Sequence, residues 1–165
     1  MLPKLDPQMA EILRLIEGLD LPPYESMSGA GARAAAEERN LFWNEGNPAV
    51  ASVRDLAIPG PAGDLAVRLY EPAGVAAVTP GILYLHGGGW VICSLDTHDG
   101  VCRRLANAAG VRVASLDYRM APEHPFPAAA EDCYATACWI AEHGAEIGAD
   151  PTRIAVAGDS AGGNL

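Results

Sequence analysis

Residues 153–165 read Arg-Ile-Ala-Val-Ala-Gly-Asp-Ser-Ala-Gly-Gly-Asn-Leu, and the fold turns on how that stretch is read. Arg153 to Ala157 is a short apolar run of the kind that forms a buried strand, and Gly158-Asp-Ser-Ala-Gly162 follows it at once. A G-x-S-x-G sequence at a strand-to-helix turn predicts a nucleophile elbow, in which Ser160 occupies a strained backbone conformation that lifts its hydroxyl above the sheet. Gly158 and Gly162 stand two positions either side of Ser160, where a side chain would collide with the neighbouring strand and helix. Strain of this kind costs about 1–3 kcal/mol and persists only where the surroundings enforce it. The bland alternative is a chance glycine-rich turn, and the strand placed just before it argues against that.

Working outward, Gly81–His86 and Val111–Leu116 are two more nearly continuous apolar runs, as expected of strands covered on both faces. Helical segments are expected between them, from Thr97 to Ala109 and from about Ala128 to His143. Alternating strands and helices from residue 80 onward imply a parallel sheet with helices on both faces. Before it, Val53–Ile58, the turn Pro59–Gly63 and the alternating Leu65, Val67 and Leu69 predict an antiparallel hairpin. Two helices come first. One starts at Asp6-Pro7, carries Met9, Ile12, Leu13 and Ile16 on one face and stops at Gly18; a second covers Ala30 to Trp43. Residues 1–45 are therefore expected to form a helical appendage and residues 46–165 the sheet-bearing part, with the apolar face of the first helix expected to pack against neighbouring structure.

His86-Gly87-Gly88-Gly89-Trp90 ends the first parallel strand. Acyl transfer builds negative charge on a carbonyl oxygen, and bare backbone N–H groups aimed at that point stabilise it. The candidate donors of an oxyanion hole are Gly87, Gly88, Gly89 and Ala161, with Gly87 open to the other role of making the turn. A phosphate-binding loop is the competing reading, but neither G-K-[ST] nor G-x-G-x-x-G is present. His86 is read as orienting the loop rather than as a general base, and Asp159 as pointing the wrong way to partner Ser160. Trp90 either lines a pocket or covers the core. Asp117, Arg119, Glu123 and His124 are expected to form one polar cluster around a proline-rich loop.

Composition bounds the remaining possibilities. Half of the 165 residues are hydrophobic and 19% are charged, so the chain can bury a sizeable core. A net charge of −10 argues against nucleic acid and anionic membrane surfaces as partners. Cys93, Cys102, Cys133 and Cys138 form no C-x-x-C pair, so a zinc or redox site is not expected, and four reduced thiols suit a cytoplasmic protein. No run approaches the roughly 20 apolar residues of a membrane span, and the N-terminus lacks the apolar core of a signal peptide.

Three motifs in order, His86–Trp90, Tyr118-Arg-Met-Ala-Pro-Glu-His-Pro-Phe-Pro-Ala-Ala129 and Gly158–Leu165, closely resemble the hormone-sensitive-lipase-like esterases of bacteria and archaea. The resemblance covers nearly the whole chain. It implies an α/β-hydrolase fold that ends at the nucleophile elbow, with a mostly parallel sheet, an antiparallel N-terminal hairpin and a helical cap. It also implies hydrolysis of short- to medium-chain carboxylic esters through an acyl-enzyme on Ser160, without metal or cofactor, and a possible homodimer. In that fold the triad runs Ser, then Asp or Glu, then His along the chain. Only Ala161 to Leu165 follow Ser160, none of them acidic or histidine, so the acid and base are expected outside this chain, on a second polypeptide or a missing segment. The rival reading is a non-catalytic ligand-binding protein on the same scaffold, as in the plant gibberellin receptors that resemble this family, or an inactive fragment. The intact glycine loop and serine favour the enzyme.

Overall fold

A computed structural model describes residues 5–19, 21–41 and 44–165. In chain order the elements are α1 (Pro7–Gly18), α2 (Gly29–Leu41), β1 (Ser52–Gly60), β2 (Gly63–Glu71), β3 (Thr79–Leu85), α3 (Asp99–Ala109), β4 (Arg112–Asp117), α4 (Ala128–His143), β5 (Ala149–Gly158) and α5 (Ser160–Asn164). The five strands form one sheet in the order β1-β2-β4-β3-β5. The β1–β2 and β2–β4 pairs are antiparallel, whereas β4–β3 and β3–β5 are parallel. The mixed sheet with its N-terminal hairpin is the arrangement that the apolar runs imply.

Alternation along the strands sorts the core into two layers. Leu69, Leu83, Leu85 and Leu116 pack toward α4 with Tyr118, Cys133 and Ile140, while Tyr70, Tyr84 and Val113 pack with Cys102 and Ala106 of α3. Each fully buried large side chain in these layers contributes about 1.5–3 kcal/mol relative to an exposed one. Cys102 and Cys133 thus serve opposite cores as small apolar groups, and all four thiols are free.

The β1–β2 turn is tighter than Pro59–Gly63. Gly60 pairs with Gly63, so the strands run into the expected turn and leave only Pro61 and Ala62 to connect them. Gly63 stands at φ +129°, which glycine alone adopts without strain.

Strand β5 is an outer strand of the described sheet, and Val156 is 60% exposed. One expectation needs correction: the apolar face of α1 is not packed. Asp6 caps the helix by accepting from the Gln8 amide at 2.8 Å, yet none of its residues is buried, and Met9, Leu13 and Ile16 are all exposed. With Leu19, Leu21 and Tyr24 this helix instead lines a groove of about 700 Å³. The expected end of α2 at Phe42 and Trp43 lies outside the described residues.

Candidate active site

Strand β5 ends at Gly158, Asp159 keeps extended geometry at φ −111° and ψ 149°, and Ser160 then turns to φ +49° as the first residue of α5. For a residue with a side chain this left-handed conformation is disfavoured, and its position between a strand and a helix is the geometry of an elbow. The flanking glycines are there for want of space. A Cβ on Gly162 would lie 1.9 Å from the Leu85 carbonyl oxygen, and one on Gly158 would lie 2.6 Å from that oxygen and from the Gly162 backbone. The turn is therefore pressed against the end of β3, which is where residues 86–90 begin. Ser160 is exposed and Ala161 is buried.

The loop after β3 winds through a series of positive φ angles at Gly88 (+126°), Gly89 (+59°), Trp90 (+60°) and Cys93 (+72°). The Gly88 carbonyl accepts from the amides of Val91 and Ile92 at 3.1 and 2.9 Å, closing the loop on itself. Of the three glycine amides, that of Gly87 donates to Asp159 Oδ1 at 2.9 Å. It is consequently occupied, and the inclusion of Gly87 among the oxyanion donors is corrected: its N–H anchors the loop to the elbow. The amides of Gly88, Gly89 and Ala161 donate to no other group among the described residues.

Asp159 is the junction between the two segments. Besides Gly87, its Oδ1 accepts from the Tyr84 hydroxyl at 2.8 Å and faces His98 Nε2 at 3.3 Å. Burial acts to raise the Asp159 carboxyl, but the Tyr84 hydroxyl, the nearby His98 and the Gly87 amide outweigh it and hold it below its ordinary value. Its Oδ1 is committed to the loop, to β3 and to His98.

His86 is fully buried and shares a 2.7 Å hydrogen bond between Nδ1 and the Gly87 carbonyl. The carbonyl accepts, so Nδ1 carries the proton. Tyr118 stacks on the imidazole with ring centres 4.4 Å apart and donates its hydroxyl to the His86 carbonyl at 2.7 Å. Burial pushes the His86 pKa down to about 4, so at neutral pH the ring is uncharged. It shapes the loop. The other histidines are also engaged away from the serine or stand apart from it: His98 beside Thr97 and Asp159, His143 against the Trp139 carbonyl, and His124 in the exposed loop before α4. None is hydrogen-bonded to Ser160.

The polar cluster expected around the proline-rich loop is not one cluster. Arg119 grips the fully buried Asp132 of α4, with Nη2 to Oδ1 at 2.7 Å and Nε to Oδ2 at 2.9 Å. Glu123 pairs instead with Arg33 of α2, Asp117 is exposed at the end of β4, and the His124 amide donates to the Met120 carbonyl. Partners drawn from α2 and α4 pull these residues in different directions. Arg33 also donates to the carbonyls of Val91 and Ala121 at 3.0 and 3.1 Å, and so joins α2 to both loops. Trp90 is 41% exposed and borders a groove of about 370 Å³ with Phe126, Pro127 and Leu165 rather than covering the core.

A profile of the α/β-hydrolase fold matches residues 82–165, the segment from β3 through the elbow. The chain belongs to that family. Among its relatives, esterase LipI of Mycobacterium tuberculosis is 46% identical over 99% of this chain and 50% of its own length. An ethyl acetate hydrolase of Pseudomonas putida is 38% identical over 98% of this chain and 53% of its own. In structure, a hyperthermophilic esterase from Pyrobaculum calidifontis matches with a TM-score of 0.90 and 42% identity, over 98% of this chain and 51% of that one. The chain spans about half the length of the curated relatives it matches. These relatives are carboxylic ester hydrolases, and the hormone-sensitive-lipase-like resemblance carried by the three motifs holds. Among the described residues no helix is long and apolar enough to cross a membrane.

His98 and Tyr84 escape a reading of the sequence. Each stands more than 60 residues from Asp159, and neither falls in a motif that names a partner.

Proposed function

We propose that this α/β-hydrolase chain supplies the nucleophile and the oxyanion donors of a serine carboxylesterase that works through an acyl-enzyme. Ser160 attacks the ester carbonyl, and the amides of Gly88, Gly89 and Ala161 receive the charge that develops on its oxygen. The observation that carries this reading is the bond between Asp159 and the Gly87 amide: it fixes the strained serine turn to a loop whose next two amides are unengaged. The esterase names of the relatives support the reaction class, and the ethyl acetate hydrolase supports a short acyl chain.

A serine hydroxyl becomes a useful nucleophile only when a histidine takes its proton and an acid orients that histidine. Among the described residues no histidine is bonded to Ser160, and the reading assigns base and acid to residues outside the chain, with residues 1–45 acting as a cap over the site. The test is made on the protein that carries this chain. A fluorophosphonate should label Ser160, and Ser160→Ala should abolish hydrolysis of p-nitrophenyl butyrate. Labelling elsewhere, or a Ser160→Ala variant with most of its activity intact, refutes the assignment.

A further inference from the structure

Asp159 can hold the Gly87 amide in place only if its own carboxylate is held, and half of that side chain, 49%, is open to solvent. Two groups fix it from below: the Tyr84 hydroxyl at the end of β3, and His98, the residue that precedes α3. We propose that His98 is a positioning residue for the oxyanion loop, acting through Asp159. The proposal rests on the reading of Ser160, Gly88 and Gly89 given above and adds to it a residue from outside the three motifs.

The geometry leaves little freedom in how His98 is used. Its side chain is 13% exposed, and its Nδ1 lies 2.9 Å from Thr97 Oγ1. The Thr97 hydroxyl is itself fixed, since it accepts from the Ser94 amide at 2.9 Å and lies 3.0 Å from the Ser94 carbonyl. That turn sets the plane of the imidazole and aims Nε2 at Asp159 Oδ1, 3.3 Å away. A carboxylate can only accept, so the contact is favourable in the tautomer that carries a proton on Nε2. One edge of the ring is thus tied to the turn before α3 and the other faces, at 3.3 Å, the carboxylate that holds Gly87. The carboxylates next to His98 in sequence are taken by other cations, Asp96 by Arg68 and Asp99 by Arg103, which leaves Asp159 as the acidic partner of the ring. The rings of Tyr84 and His86 stand 6.2 and 5.6 Å from it, so His98 is wedged beneath the very segment whose amides matter.

The test uses the protein that carries this chain, with p-nitrophenyl butyrate as substrate. Loss of one oxyanion donor outright costs about 10²–10³ in kcat, and loosening the loop that carries two should cost about tenfold. We expect His98→Leu to lower kcat about tenfold with KM changed less than about twofold, and to weaken inhibition by a trifluoromethyl ketone in proportion to kcat. His98→Gln places an amide N–H near the position of Nε2 and should recover most of kcat, whereas the shorter His98→Asn should not. A kcat for His98→Leu within twofold of the parent, or equal rates for the Gln and Asn variants, overturns the proposal. Should His98→Leu fail to fold, the Gln and Asn pair carries the same decision. Failure of fluorophosphonate to label Ser160 in the unaltered protein sinks the underlying esterase reading instead. Normal labelling with an indifferent His98 sinks only this proposal.

Discussion

Gly88 and Gly89 look equivalent in sequence, yet the structure predicts opposite outcomes when each is changed to alanine. A Cβ on Gly88 would lie 2.0 Å from the Ile92 carbonyl oxygen, 2.8 Å from its carbon and 3.1 Å from Cys93 Cβ, at a φ of +126°. The obstacle is backbone, and reaching even 3.0 Å requires a shift of about 1 Å in the loop. Oxyanion donors act only within about 2.7–3.1 Å of the charged oxygen, so on the function proposed above a displacement of that size removes a donor and should lower kcat about 10²–10³-fold, or about 2.7–4 kcal/mol. At Gly89 a Cβ meets nothing within 4 Å, and φ is +59°. Its alanine variant bears only the left-handed penalty of about 1–2 kcal/mol, which falls on stability and leaves the amide where it was. Steady-state kinetics with p-nitrophenyl butyrate, beside thermal unfolding, separates the two. Gly88→Ala should lose kcat with KM little changed; Gly89→Ala should keep kcat within about threefold while melting lower. A Gly88→Ala enzyme with near-parental kcat, or a Gly89→Ala enzyme equally crippled, would show that the loop is not placed as argued.

Three other expectations can be checked directly. The His86 ring, with its pKa depressed to about 4 by burial, refuses a proton that the unfolded chain accepts near pH 6.5. Its contribution is therefore complete above pH 6.5 and is lost as pH falls toward 4, on the order of 3 kcal/mol in all; urea unfolding across that range and an NMR titration of the ring report it. Arg33→Met removes the donor to Val91 and Ala121 and should destabilise by about 2 kcal/mol, whereas Glu123→Gln, at an exposed partner, should leave the denaturant midpoint essentially unchanged. Asp132→Ala strips the buried acceptor from Arg119 and should lower stability by about 1.5–3 kcal/mol in denaturant melts without shifting KM.

Most of the fold was legible because it is written in local patterns. The alternation of Leu65, Val67 and Leu69, the run Gly81–His86 and the helix from Ala128 to His143 each declare their own conformation over a few residues. The elbow was legible for the same reason, since its five residues and the strand before it are contiguous. What could not be read is whatever depends on who lies opposite. Periodicity makes α1 amphipathic without supplying anything for Ile16 to pack on. The fates of Arg33, Arg119 and Glu123 follow from partners on other elements, at separations of up to 90 residues for Arg33 and Glu123. Gly87 is the sharpest case. Nothing in a row of three glycines distinguishes the amide that serves the neighbouring carboxylate from the two that remain available.

The walls that confine Gly158 and Gly162 are main-chain atoms of β3 and of the elbow itself. A crowded side chain can be relieved by trimming its neighbour, but a carbonyl belongs to every amino acid alike. No compensating substitution elsewhere can therefore rescue a larger residue at either position. On the proposed function, a mutational search for altered ester preference should hold both fixed and spend its diversity around Trp90 and Phe126, where a groove is bounded by side chains that can be exchanged.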